Sequence, residues 1–439
     1  MNTILRSILI LFSIIVFYNG DIPHFSSRVY ITSIIIQIIS ILQIFNKKNY
    51  RYSFIKFFFI FSYLFFGIAP LLQFYSKSTF YGAPFIGEEF YFFTNIIVIF
   101  ILIFYIAFYQ FFSKILHINK IKTERFELVE KVSFSRNVKI LIVCFICSFI
   151  VFNYHNFNIL NIILRGGELT DAGEEKSTTI YLLIQQFIRP IPIICFMMYH
   201  MSKQKNILAY IVLLILGVVT CFPTGIPRFY AAAIYIPFLL IIFPKLRKEN
   251  VLSILVFLGI FFIFPVLDNF RNFKGFDKIE MKYNLKMFET GHFDSFQNFA
   301  LILKYDFITY GNQLLGVLFF WIPRTIWTTK PVGSGAYVAE VLNLDFSNIS
   351  ANYFAEGYIN FGFIGIFIFI IILGYTSAKI DKLYWLNDNV VKGNYLSILY
   401  FILLGMLFFV LRGDLLSSFA FSLGLICSFY FVYRFLFKK

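Results

Sequence analysis

Residues 91–112 read YFFTNIIVIFILIFYIAFYQFF, a run of 22 residues from Tyr91 to Phe112 without a single charge. As an α-helix rising 1.5 Å per residue it is about 33 Å long, enough to cross the roughly 30 Å of hydrocarbon in a bilayer. Inside that layer no water is available, so each backbone N–H and C=O must be satisfied within the segment, and a helix does this. Comparable runs occupy roughly residues 4–18, 29–45, 55–74, 138–153, 178–200, 206–221, 229–243, 251–267, 353–375, 395–411 and 415–434. The expectation is an all-α polytopic membrane protein with about 12 transmembrane helices, a single integral membrane domain over residues 1–439.

Composition agrees. The chain is 59% hydrophobic and 14% charged, where a soluble domain has about 25% charged residues. The 63 Phe are read as the mark of an AT-rich coding sequence and carry no functional reading. A net charge of +15 raises the question of nucleic acid, but the cations sit in compact loops between apolar runs, where they orient helices. Those loops are Lys47 to Arg51, residues 113–137, Lys203 to Lys205, Lys245 to Lys248 and Lys379 to Lys382. They are assigned to the cytoplasm by the positive-inside rule, which places both termini there and excludes nucleic acid as a partner. The run from Ile4 to Phe17 lacks a small-residue cleavage pattern, so the first span is expected to stay as an anchor. Cys144 and Cys147 stand at i, i+3 spacing in an apolar run and are read as packing residues.

The outward connections differ in kind: residues 153–177 form a first outer loop and residues 268–352 a large one. Long loops without structure of their own are uncommon unless functional. Within the second, Asn312 to Ile322 is apolar yet too short to span, as for a short re-entrant or interfacial helix.

No phosphate-loop pattern and no D-x-D metal motif occurs, and the five histidines are scattered. ATP-driven transport, sugar-nucleotide chemistry at a metal and a bound metal or other cofactor are therefore not expected. The informative residues are arginines on the outward half: Arg189, Arg228, Arg271 and Arg324, three of them beside proline. Arg189 is about 16 Å into its span. An arginine near the bilayer centre costs about 2.5–3.5 kcal/mol to insert, so it needs a polar cavity or a partner. Pro190 and Pro192 break the helix there. The four together suggest a shared anion site, since guanidinium forks bind phosphate oxygens bidentately. Two of them also have a plainer reading, an intramembrane ion pair or snorkelling for Arg189 and interfacial anchoring for Arg228. His292, Asp294, Glu340, Asp345 and Glu356 could handle a sugar hydroxyl, or could be solvated loop residues. Gly357, Gly362 and Gly365 read as a close packing face.

Several phrases resemble the bacterial O-antigen and capsule repeat-unit polymerases, the Wzy family. They are Phe187-Ile188-Arg189-Pro190, Phe222 to Phe229, Phe264 to Arg271, Gly291 to Phe296, Trp321 to Pro331 and Ala355 to Gly362. The resemblance covers about residues 160–375. It implies a fold similar to other multi-span lipid-phosphate-dependent glycosyltransferases, in the bacterial inner membrane, with its active site facing the periplasm or outside. The implied activity transfers a growing glycan from undecaprenyl diphosphate to the non-reducing end of the next undecaprenyl-diphosphate-linked oligosaccharide unit, without metal or cofactor. On that reading Arg189, Arg228, Arg271, Arg324 and Lys330 bind the diphosphates, while Asp294 or Glu356, with His292 in reserve, handles the acceptor hydroxyl. A chain-length regulator stays open as a partner beside the lipid bilayer. The alternatives are the O-antigen ligase and, as a non-enzyme, the lipid-linked repeat-unit flippase.

Overall fold

The computed structural model describes residues 9–10, 24–117, 132–164, 178–203, 205–248, 251–263, 285–386 and 395–438. Among them there is no strand. In chain order the main helices are α1 (Ser27–Ile44), α2 (Phe54–Tyr75), α3 (Glu88–Ile115), α4 (Phe134–Tyr154), α5 (Ile180–Met201), α6 (Ile207–Thr220) and α7 (Arg228–Ile242). There follow α8 (Val251–Leu258), α9 (Ser295–Lys304), α10 (Asn312–Leu318), α11 (Ser334–Val341), α12 (Tyr353–Trp385), α13 (Leu396–Arg412) and α14 (Leu415–Val432). Eight helices, α1 to α6, α12 and α14, are long and apolar enough to cross a membrane, and α7 and α13 are shorter apolar helices. The protein is an all-helical, multi-pass membrane protein. The expected span at 4–18 lies outside the described residues except for Leu9 and Ile10, and that at 251–267 is described to Ile263.

Burial separates helices that hydropathy alone makes alike. Every residue of α2 from Phe54 to Tyr75 is buried, so this helix is a post sheathed by α1, α12 and α13. Phe58 meets Tyr105 of α3, and Phe61 meets Phe408 of α13. Lipid tails are as apolar as these rings, so packing rather than escape from water holds the post. In α4, by contrast, the buried residues are Ile140, Cys144, Cys147, Ser148 and Val151, a single helical stripe. The expected packing role of the cysteine pair follows from that stripe, and both thiols are free.

Helices α5 and α12 are broken. In α5 a π-helical turn, Leu183–Ile188, precedes Pro190, and neighbouring helices satisfy the loosened backbone. Ser428 of α14 donates its hydroxyl to the Phe187 carbonyl at 2.6 Å. In α12 the dihedrals at Phe361 and Gly362 are non-helical, with Gly362 at φ 60°, a conformation that glycine adopts at little cost. The two arms meet where a side chain on Gly365 would strike the Gly357 carbonyl. Carbonyls freed by the break, those of Ile359 and Asn360, accept from Thr309 and Gly311 N–H at 2.6 and 2.9 Å. The expected glycine packing face is thus one helix folded against itself.

From residue 285 onward the large loop carries structure. Helix α9 packs on α3 and α12, with Ser295 to Leu303 all buried. The apolar segment 312–322 holds the seven-residue α10, seated on α12 and α14.

Candidate functional site

A cavity of about 790 Å³ lies between α5, α7, α13, the head of α14 and the loop from Phe320 to Lys330. Arg228, Arg324, Lys330 and Arg412 line it, with His292 and a single carboxylate among the lining residues, Asp414. Its remaining wall is largely apolar, with Leu182 of α5, Phe229 of α7, Phe409 of α13 and Phe421 of α14. Four cations against one carboxylate give the cavity a positive side and an oily one.

Each cation is aimed by its local fold. Arg228 is the first residue of α7, directly after Pro227, and its Nη2 donates to His292 Nδ1 at 2.9 Å. An imidazole nitrogen that accepts from a guanidinium is unprotonated there. Arg324 and Lys330 clasp one loop from both sides. The Arg324 guanidinium donates to the Lys330 and Pro331 carbonyls, and Lys330 Nζ donates to the Phe320 and Ile322 carbonyls at 2.6 and 2.9 Å. Burial, then the Arg324 charge, pushes the Lys330 amine below its ordinary range. A guanidinium has five donors and an ammonium three, so both keep N–H groups for a ligand.

Arg412 ends α13. Its Nη2 donates to the Gly291 carbonyl at 3.0 Å and pairs with Asp294 at 2.9 Å, while its buried Nε has no partner among the described residues. The guanidinium also lies 5.8 Å from the centre of the Phe229 ring. Asp294 is 1% exposed and accepts in addition from Ser350 Oγ at 2.6 Å, Ser350 N at 3.2 Å and Asn298 Nδ2 at 3.1 Å. It braces Arg412 from behind and does not line the cavity.

Glu356 is wholly buried and accepts from Ser334 Oγ at 2.6 Å and Leu415 N at 2.8 Å. Beside it Asp414 caps α14, Oδ1 accepting from Leu416 N and Ser417 N at 2.9 and 3.3 Å. Its Oδ2 accepts from Gly335 N at 3.1 Å. Burial pushes the Asp414 carboxyl above the usual carboxylate range, against the pull of these backbone N–H groups.

Of the residues singled out in the sequence, Arg228, His292, Arg324 and Lys330 come together at the cavity, and Asp294 stands directly behind it. Arg189 does not join them. Its side chain is 3% exposed, and its guanidinium donates to the Thr220 and Ile162 carbonyls and to Gln185 Oε1. It ties the broken α5 to α6, so the partner expected of so deep an arginine is carbonyl oxygen. Glu340 and Asp345 are exposed and away from the cavity lining. Arg271 lies outside the described residues, as do Arg165 to Glu168. Arg412 and Asp414 are additions. The signal for them is the turn Arg412-Gly413-Asp414 between the last two apolar runs, three residues of which two are charged. A search weighted to the long outer loops passes over it.

Neither a protein-family model, nor a curated protein, nor a solved structure matches the chain.

Proposed function

We propose that the chain is a glycosyltransferase that polymerises lipid-linked oligosaccharide units. It moves the growing glycan from undecaprenyl diphosphate to the non-reducing end of the next undecaprenyl-diphosphate-linked unit, in O-antigen or capsule synthesis. The observation that carries this is the cavity itself, where Arg228, Arg324, Lys330 and Arg412 share a space with an apolar wall. A diphosphate ester of a long isoprenoid has the matching chemistry, two phosphates for guanidinium forks and a hydrocarbon tail for the lipid side.

On this reading the four cations stabilise the charge that grows on the leaving diphosphate oxygen, commonly the largest catalytic contribution in a water-poor site. Arg271 is the further candidate from the sequence. Arg189 takes a structural role, and Asp294 aims Arg412. Twelve spans, cytoplasmic termini and a cavity facing the periplasm complete the proposal, which also agrees with the resemblance of the Pro323 to Pro331 phrase to the Wzy polymerases.

The test is genetic. The gene is deleted in its host, and surface polysaccharide is separated on a silver-stained gel beside strains complemented with the parent gene, Arg324→Ala or Arg412→Ala. Core bearing one repeat unit after deletion, with a ladder restored by the parent and by neither variant, supports the polymerase. Core bearing no repeat unit after deletion moves the protein to export or ligation.

A further inference from the structure

We propose that Asp414 is the general base of the transfer, receiving the proton of the acceptor hydroxyl, an assignment that rests on the glycosyltransfer reading above. The sequence directs attention to Asp294, Glu356 and His292, and the geometry disfavours each. Asp294 is closed in by Arg412, Ser350 and Asn298. Glu356 is wholly buried between Ser334 and the start of α14. The His292 nitrogen that would take a proton accepts from Arg228.

Among the described residues, Asp414 is the carboxylate that lines the cavity. It is held by two chain segments at once, the head of α14 through Leu416 and Ser417 and the head of α11 through Gly335. The fit is close enough that a side chain on Gly333 would collide with both carboxylate oxygens. A carboxylate offers about four acceptor sites. Backbone N–H groups of Gly335, Leu416 and Ser417, with that of Ser334 beside them, fix the orientation of the carboxylate at the edge of the cavity. Glu356 stands behind as a positioning residue, since it binds Ser334 and Leu415, which adjoin the two N–H-bearing segments.

The step balances without further reagents. The acceptor hydroxyl gives its proton to the Asp414 carboxylate while its oxygen bonds to the anomeric carbon of the donor. The bond from that carbon to the phosphate oxygen breaks, and its electron pair leaves on undecaprenyl diphosphate. The charged groups around Asp414 are Glu356 from α12, Arg412 from α13, Arg228 from α7, and Arg324 and Lys330 from the outer loop, with His292 beside Arg228. The carboxyl, raised by burial, must be ionised to act, so the rate falls as pH falls through its raised value.

The experiment uses the purified full chain in detergent with the host's undecaprenyl-diphosphate-linked repeat unit, and follows chain extension across pH. Asn is itself a favoured helix cap, so Asp414→Asn keeps the head of α14 capped, and Asp414→Ser is the second capping variant. Both are expected to lose about 100-fold or more in rate, the usual scale for a removed general base, while binding of undecaprenyl diphosphate is retained. The acid limb of the parent pH profile is expected to vanish from the residual rate. Either variant working at close to the parent rate, or keeping that limb, overturns the assignment and leaves the glycosyltransfer reading standing. A parent protein that binds the lipid and extends no glycan overturns the reading and the base together.

Discussion

Replacing Asp294 tests whether it acts on the acceptor or holds Arg412. Asp294→Ala removes the carboxylate from a nearly closed site, leaving Arg412 without its counter-charge and the Ser350 hydroxyl and N–H without their acceptor, while Asn298 keeps its bond to the Ser350 carbonyl. Breaking a buried pair from one side costs about 3–5 kcal/mol. In an Arg412→Ala background the stranded charge is gone, and the same change costs only the bonds from the neutral donors Ser350 and Asn298, about 1–3 kcal/mol. The expected coupling between the two sites is therefore about 2 kcal/mol, within the range for residues in direct contact. The assay is thermal unfolding of the four proteins in detergent with a thiol-reactive fluorophore, because Cys144, Cys147, Cys195 and Cys221 are buried and Cys427 alone is exposed. Chain extension is measured on the same four, and the double variant should be no slower than Arg412→Ala. Stability losses that add to within about 0.5 kcal/mol, or a double variant much slower than Arg412→Ala, would refute the bracing role and return Asp294 to the chemistry.

Other outcomes follow from single contacts. Arg189→Ala strands the Thr220 and Ile162 carbonyls and Gln185; hydrogen bonds to a charged group are worth about 1.5–3 kcal/mol each. It should lower the unfolding temperature and the yield of folded protein, and a variant of parent stability with lost lipid binding would place Arg189 at the ligand after all. Since the Lys330 amine is pushed down, its charge is lost at lower pH than an ordinary lysine's. Affinity for undecaprenyl diphosphate should then weaken on the alkaline side, and Lys330→Arg should flatten that limb because a guanidinium stays charged; an unchanged limb counts against contact with phosphate. Gly362→Ala forces a side chain into a left-handed backbone at φ 60°, a strain of about 1–3 kcal/mol, and should lower the melting temperature measurably; an unchanged melting temperature would mean that the break in α12 relaxes without cost.

The long apolar runs made the membrane class and most helices readable, because a helix that must close its own hydrogen bonds in lipid leaves a length and a composition that local sequence records. Both cations of the Pro323 to Pro331 phrase line the cavity, and they could be read together because they and their carbonyl partners lie within a dozen residues. Arg189 shows where such reading stops. A deep arginine beside proline signals polar surroundings, but whether they are ligand or carbonyl depends on α6 and on Ile162, and no local pattern encodes that. Arg412 and Asp294 are 118 residues apart, and their pairing is a property of the fold. The broken α12 was hidden for a similar reason, because glycines spaced for packing against a second helix are equally suited to folding one helix on itself.

The sheathed post α2 has a consequence for how the protein is made. Its partners α12 and α13 begin at Tyr353 and Leu396, so more than three hundred residues are synthesised after α2 before its surroundings are complete. In that interval the helix must be soluble in lipid on every face, although in the finished protein it touches none. Its apolar composition and its circumference of phenylalanine meet both demands: the same rings that dissolve in acyl chains during insertion later interlock with Phe408 and Tyr105. The composition of this helix is thus selected twice, first by the bilayer as a solvent and then by the protein as a mould.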